Sequence, residues 1–280
     1  MNGYLEKHVR MNLAAFGMSA MGRKLLRGNA GNTHIASLLQ SGQPFMVSRL
    51  GMVEWECVLH YCYHRKSGMP YTDRIRRVLP NNAGFFPPTD DMLDRFSILY
   101  LETIKKVDAL GIYNFAPHEY IIGPQFCPNA QLMDWRSLEP FYHTNPWSAE
   151  LAGKKVIVVY PFSKSIEKQY HQARTNLFRD KSVLPEFELR TVPTVVSLAG
   201  NPTNFKDWFA ALEYMQQDIS RSPFDIAIIG AGAYGMPLAA YVKSLGKQAI
   251  HIGGATQLLF GIKGKRWDDY KPAARYYNQY

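Results

Sequence analysis

Between residues 155 and 252 short apolar runs alternate with segments of helical periodicity, and few architectures accept that pattern. KVIVVY at 155–160 reads as a strand, 163–178 as a helix, 187–193 as a strand and 204–219 as a helix. FDIAII at 224–229 is a strand, 237–245 a helix and QAIHI at 248–252 a last strand, followed by an apolar helical turn. Near-continuous apolar runs suit strands covered on both faces, and the helices between them supply the crossovers that parallel pairing requires. The expected fold class is therefore α/β, an open, mainly parallel sheet with helices on both sides.

The preceding half is read with less regularity. Residues 1–30 form a basic, Met-rich amphipathic pattern with Leu5, Val9, Leu13, Phe16, Met21 and Leu25 as its apolar members, either a packing arm or a helix that docks on a membrane surface or a partner. A helix near 33–40, a strand at 44–48, a turn at 49–52 and a helix to about residue 64 follow. Residues 90–109 are strongly periodic and precede a strand at 110–115. The Pro-, Asn- and Trp-rich stretch 116–152 reads as a wrapping loop and the boundary between the two halves, 31–150 and 151–280, of one catalytic domain.

With 280 residues, 46% of them hydrophobic, the chain can bury a full core. No run of about 18 apolar residues is present, so no spanning helix is expected. Glu6, Lys7, His8 and Arg10 interrupt the N-terminal stretch, against a signal peptide. Cys57, Cys62 and Cys127 form no C-x-x-C pair and suit reduced thiols in a cytoplasm. Cys57, His60, Cys62 and His64 match no standard zinc spacing. A net charge of +9 favours anionic partners, but no nucleic-acid-binding signature accompanies it, and specific nucleic-acid recognition is not expected.

In open parallel sheets ligands sit at the carboxyl ends of the strands. This selects the turns at 48–54, 161–165, 230–235 and 251–256, with the basic segment 263–267 beside them. The first candidate is Gly230-x-Gly232-x-x-Gly235, between a strand and a helix, where backbone N–H groups and the positive end of the helix dipole meet a phosphate. A tight crossover with no ligand explains the same glycines equally well. A dinucleotide site would carry an acidic residue about 20 residues further on. Here the next strand ends in His251 and Gly253-Gly254, so NAD is not expected. The second candidate is Ser48-Arg49-Leu50-Gly51-Met52-Val53-Glu54, in which Arg49 can grip phosphate and Glu54 lies in the first helical turn. A plain structural pair of Arg49 with a dipole-complementing Glu54 is the alternative. Ser163 and Lys164 stand at a helix start as capping groups or nucleotide contacts, and His251 is a base candidate or a core histidine. The aromatic loop 81–87 stacks on a sugar or base, or packs on the core.

Arg49-x-Gly51-x-x-Glu54 at a strand end, with a downstream strand, glycine-rich turn, helix and LGKQAIHIGG, resembles the GT-D fold of bacterial nucleotide-sugar glycosyltransferases. The resemblance runs over residues 44–260 and is anchored at its two ends. It implies a Rossmann-like cytoplasmic enzyme, peripheral on the inner membrane face or free of it. Such an enzyme moves a sugar from a UDP-type donor to a glycan or lipid-linked glycan acceptor in surface polysaccharide or glycoconjugate assembly. The family's D-x-E metal motif falls on Met52-Val53-Glu54, so only Glu54 carries over, and Mn²⁺ or Mg²⁺ would rest on it and on the donor's phosphates. The expected mechanism gives Arg49 and the Gly51, Gly230, Gly232, Gly235 and Gly253 backbone to the leaving diphosphate, with Lys263, Lys265 or Arg266 closing over it. Two other readings stay open, a nucleotide-binding oxidoreductase using the Gly230 loop and a non-catalytic basic protein that docks on membrane or nucleic acid.

Overall fold

The computed structural model describes residues 22–112, 123–197 and 200–264, together with Asn12, Leu13, Phe16, Gly17, Ser19, Tyr276 and Tyr277. Among the described residues eight strands make one sheet: β1 (Leu25–Leu26), β2 (Phe45–Arg49), β3 (Ala109–Ile112), β4 (Gln131–Asp134), β5 (Lys155–Val159), β6 (Glu188–Val192), β7 (Ile226–Ile229) and β8 (Gln248–His251). Their order is β1-β4-β3-β2-β8-β7-β5-β6, and every pairing is parallel. The helices are α1 (Asn29–Gln40), α2 (Met52–Tyr63), α3 (Asp73–Ala83), α4 (Asp90–Ile104), α5 (Ser163–Leu177), α6 (Trp208–Ile219), α7 (Gly235–Ser244) and α8 (Thr256–Leu259).

Alternation along the strands divides the core in two, because successive side chains leave a strand on opposite faces. Met46, Ile157, Val159, Ala227, Ile229 and Ala249 face one way and pack with Trp55 and Val58 of α2, Leu79 of α3, Phe96 of α4, Trp208 of α6 and Leu238 of α7. Phe45, Val47, Val156, Val158, Ile226, Ile228 and Ile250 face the other way, against Ile35 and Leu39 of α1, Ile166 and Tyr170 of α5 and Leu258 of α8. Both strand faces are apolar because both are covered. The parallel α/β sheet expected from the chain is the one observed, and its pattern is Rossmann-like.

Winding decides where a ligand can enter. From β2 the chain winds outward through β3 and β4, whereas the later strands return inward, through β7 and β8, until β8 pairs with β2. The carboxyl ends of β2, β8, β7 and β5 thus stand side by side where the winding reverses, the position at which crevices open in such sheets.

Several local expectations are corrected. Leu25–Leu26 is a strand paired with β4, not the end of a helix reaching residue 30; Leu5, Val9 and Met21 lie outside the described residues. The helix expected to reach 109 stops at Ile104. Asp108 then turns the chain into β3, its carboxylate accepting the Met46 N–H at 2.7 Å and pairing with Lys243 at 2.7 Å. Helix α3 was not anticipated; Thr72 caps it by accepting the Ile75 N–H at 3.3 Å. The stretch read as a wrapping loop contributes β4, whose few residues carry no clear alternation and become a strand only by pairing between β1 and β3. The α6 helix begins at Trp208 rather than 204 because Asp207 accepts the Ala210 N–H at 2.8 Å.

Candidate functional site

At the reversal of winding, a cleft of about 260 Å³ is lined by Arg49, Gly51, Glu54, Gly230, Gly232, His251 and Gly253, with Asn82 and Tyr160 among its other walls. Four strand ends and their turns build it. Arg49 closes β2, and Gly51 follows as the residue that starts α2, with extended backbone at φ −76°. Glycine leaves room there for the carboxylate, since a Cβ on Gly51 would stand 2.0 Å from Glu54 Oε2 and would push it aside. The carboxylate folds back over the helix start, the place a third-position Glu takes in a capping box.

Glu54 is 7% exposed, and burial raises its carboxyl above the usual range, while its own backbone N–H and the Arg49 charge pull the other way. Beneath it lies Tyr100 of α4, fully buried, its hydroxyl against the Gly51 backbone. Burial, with the nearby Glu54 charge, holds the Tyr100 phenol protonated. Guanidinium, carboxyl and phenol therefore meet around Gly51.

The turn after β8 completes the opposite wall. Gly253 takes a left-handed conformation, φ +62°, and a Cβ there would come within 3.1 Å of Arg49 Nε, so the guanidinium lies along this turn. Thr256 Oγ1 donates to the Gly253 carbonyl at 2.8 Å and fixes its shape. Gly230, after β7, is pressed against the same turn: a Cβ would lie 2.4 Å from the Gly253 oxygen and 2.7 Å from Tyr160 Cδ2. Tyr160 donates to Gln257 Oε1 at 2.8 Å, and Gln257 Nε2 donates to the Ile262 carbonyl at 3.0 Å, which holds the chain that follows.

Three candidates take structural parts. His251 is 4% exposed, shares a hydrogen bond of 2.9 Å between its Nδ1 and Ser48 Oγ, and is pushed down to about 3, first by burial and then by the Arg49 charge. A group so reluctant to hold a proton is a poor general base, and the arrangement suits holding β8 against β2 beneath Arg49. Its Nε2 faces Gly235, where a Cβ would come within 2.2 Å, so the third glycine serves the packing of helix on sheet. Gly232, at φ +54°, brings its backbone against the Ala83 carbonyl at the end of α3, where a Cβ would lie 2.8 Å from that oxygen.

Three further candidates, Ser163, Lys164 and Lys263, are not brought to the cleft wall. Ser163 is buried in the first turn of α5 and Lys164 is exposed beside it; neither lines the cleft. Lys263 is exposed away from the lining, and Lys265 and Arg266 lie outside the described residues. Phe85 of the aromatic loop is fully buried, 5.0 Å from Phe96 and 5.6 Å from Trp208 between ring centres, so it belongs to the core, while Asn82 reaches the cleft.

A divalent cation does not fit these residues. Glu54 has Arg49 as its charged neighbour, Met52 stands where a second carboxylate would be, and no three His, Cys, Asp or Glu side chains gather to hold a metal among the described residues. Cys57 is buried against Ser97 at 3.6 Å and its thiol is pushed up to about 12, chiefly by burial.

Tyr100 and Tyr160 were not singled out by sequence reasoning, and Ser48 only as the residue that opens the Arg49 turn. Ser48 left a trace, a lone hydroxyl in the apolar strand FMVSR beside Arg49. Tyr100 left none, since tertiary packing of α4 on α2 brings it there. No family model, curated protein or solved structure matches the chain. No helix among the described residues is long and apolar enough to cross a membrane.

Proposed function

We propose that the chain is a nucleotide-sugar-dependent glycosyltransferase that transfers a sugar from a UDP-type donor to a glycan acceptor. One observation carries the reading: the Arg49 guanidinium lies along the Gly253 turn, beside Gly230 and across from the buried carboxyl of Glu54, at the carboxyl ends of four parallel strands. When a sugar–phosphate bond breaks, negative charge grows on the departing diphosphate. A preorganised guanidinium and the backbone of two glycine turns meet that charge without reorganising. In this mechanism no protein-held metal is used, since Arg49 is the cation supplied by the described residues that line the cleft.

Glu54 is assigned to a hydroxyl of the transferred sugar or of the acceptor. Its raised affinity for a proton suits a carboxyl that takes and returns a proton at that hydroxyl. His251, joined to Ser48, holds β8 against β2 and takes no proton. The absence of a carboxylate after β8 weighs against a dinucleotide, whose ribose would need one. Exposed Leu13 and Phe16, 57% and 77% accessible, are the contacts this reading offers to a cytoplasmic membrane face carrying the acceptor.

The test is titration with UDP and a coupled assay of UDP release from UDP-sugars. Arg49→Ala should weaken UDP binding and lower turnover about 100- to 1000-fold, and Glu54→Gln should lower turnover with UDP affinity kept. Near-native turnover in both variants would refute the assignment.

A further inference from the structure

A second, larger cavity of about 570 Å³ opens beside the cleft, and Met52 lines both. Its wall follows one stripe of α2: Met52, Glu56, His60 and Tyr63 recur on successive turns and face Arg74 and Ile75 of α3. At the rise of an α-helix, Met52 to Tyr63 spans roughly 16 Å. The groove therefore runs outward from the mouth of the cleft, and its size falls within the roughly 300–1000 Å³ of pockets that enclose small organic ligands.

Its chemistry is mixed and electrically balanced. The Arg74 guanidinium donates to Glu56 at 2.8 Å, so its charge is matched within the groove. Arg65, in the turn that follows α2, is likewise tied to Asp94 at 3.2 Å. His60 packs on His64 and Tyr71 with ring centres 5.1 Å apart in each case. Because the Pro70 carbonyl only accepts, His60 donates to it from Nε2 at 3.0 Å. Tyr63 is 54% exposed and Met52 49% exposed, although both are large apolar side chains.

Flat aromatic faces beside a paired carboxylate and guanidinium match a ligand with apolar faces and polar edges. A polyphosphate or nucleic acid would demand unmatched cations, and a lipid chain would be met by Glu56, Arg74 and Thr72 across its path. We infer that the groove between α2 and α3 binds a neutral saccharide, the acceptor glycan, and delivers its end past Met52 to Glu54. This rests on the transferase reading for the word acceptor; saccharide binding itself stands on the groove.

Saturation-transfer NMR and calorimetry with maltotriose, cellotriose and N-acetylated chitotriose as probes test it, with UDP titrated in parallel. At least one trisaccharide should bind the full chain. Tyr63→Ala should weaken it roughly two- to tenfold, the range expected for one lost aromatic contact. Arg74→Ala, at an exposed position, should weaken it too, while UDP affinity stays unchanged in both variants. No saccharide signal from the three probes, or undiminished binding in both variants, would overturn the inference even if UDP binds. Saccharide binding that the variants weaken, in a chain that ignores UDP, would uphold the groove and refute the transferase reading.

Discussion

Replacing His251 by asparagine should change how stability depends on pH more than any other single substitution near the cleft. In the folded chain the ring is buried, joined to Ser48 and pushed down to about 3, against an ordinary value of 6.5. The unfolded chain takes up a proton near its ordinary value, whereas the folded chain does not, so acid favours unfolding throughout the interval. The stability tied to the neutral ring is complete above pH 6.5 and falls as pH drops toward about 3. The slope is about 1.4 kcal/mol per pH unit, so the loss reaches on the order of 5 kcal/mol, a large share of a typical 5–15 kcal/mol. His34 and His143 are also lowered by burial and steepen the raw profile in the same direction. Glu54, raised by burial, acts oppositely: its contribution is present at low pH and is lost as pH rises through its raised value. All three remain in the variant and cancel in the comparison. Asparagine can still bond Ser48 and carries no titrating group. Urea unfolding followed by tryptophan fluorescence should show the native chain losing roughly 2 kcal/mol more than His251→Asn between about pH 6.5 and 4.5. Parallel profiles would show that the ring is protonated or solvated in the folded chain, and its role as a neutral strut would be refuted.

Two further outcomes follow from close approaches. Gly235→Ala should destabilise the chain by about 1–3 kcal/mol, because the new methyl meets the His251 ring that cannot move from Ser48; a melting temperature equal to that of the native chain would contradict this packing. Under native conditions a thiol reagent such as dithionitrobenzoate should modify Cys62, which is partly exposed, well before Cys57 and Cys127, both buried with thiols pushed up to about 12 and about 11. Labelling of Cys57 at the rate of Cys62 would mean that α2 opens from α4.

Parallel pairing was determined by local pattern. Runs such as KVIVVY and FDIAII are apolar at every position, which only a sheet covered on both faces accommodates, and the helices between them leave no other crossover. The turns that carry Arg49, Glu54, Gly230 and Gly253 were legible for the same reason, since ligand crevices follow strand ends. What the pattern could not express was the order of the strands. The pairing of β2 with β8 joins residues about two hundred apart, and it alone sets Arg49 on the Gly253 turn and His251 under Ser48. Burial then reassigned the parts. His251 lost its basicity to desolvation, Gly232 and Gly235 proved to be contact points for Ala83 and His251, and Phe85 joined the core. Tyr100 and the groove between α2 and α3 arise where separate helices meet, and residue type at one position carries no record of a neighbour brought by packing. Periodicity and glycine spacing are local properties and survive in the bare chain, whereas pKa, close approach and cavity shape depend on atoms distant in sequence and exist only once the chain has folded.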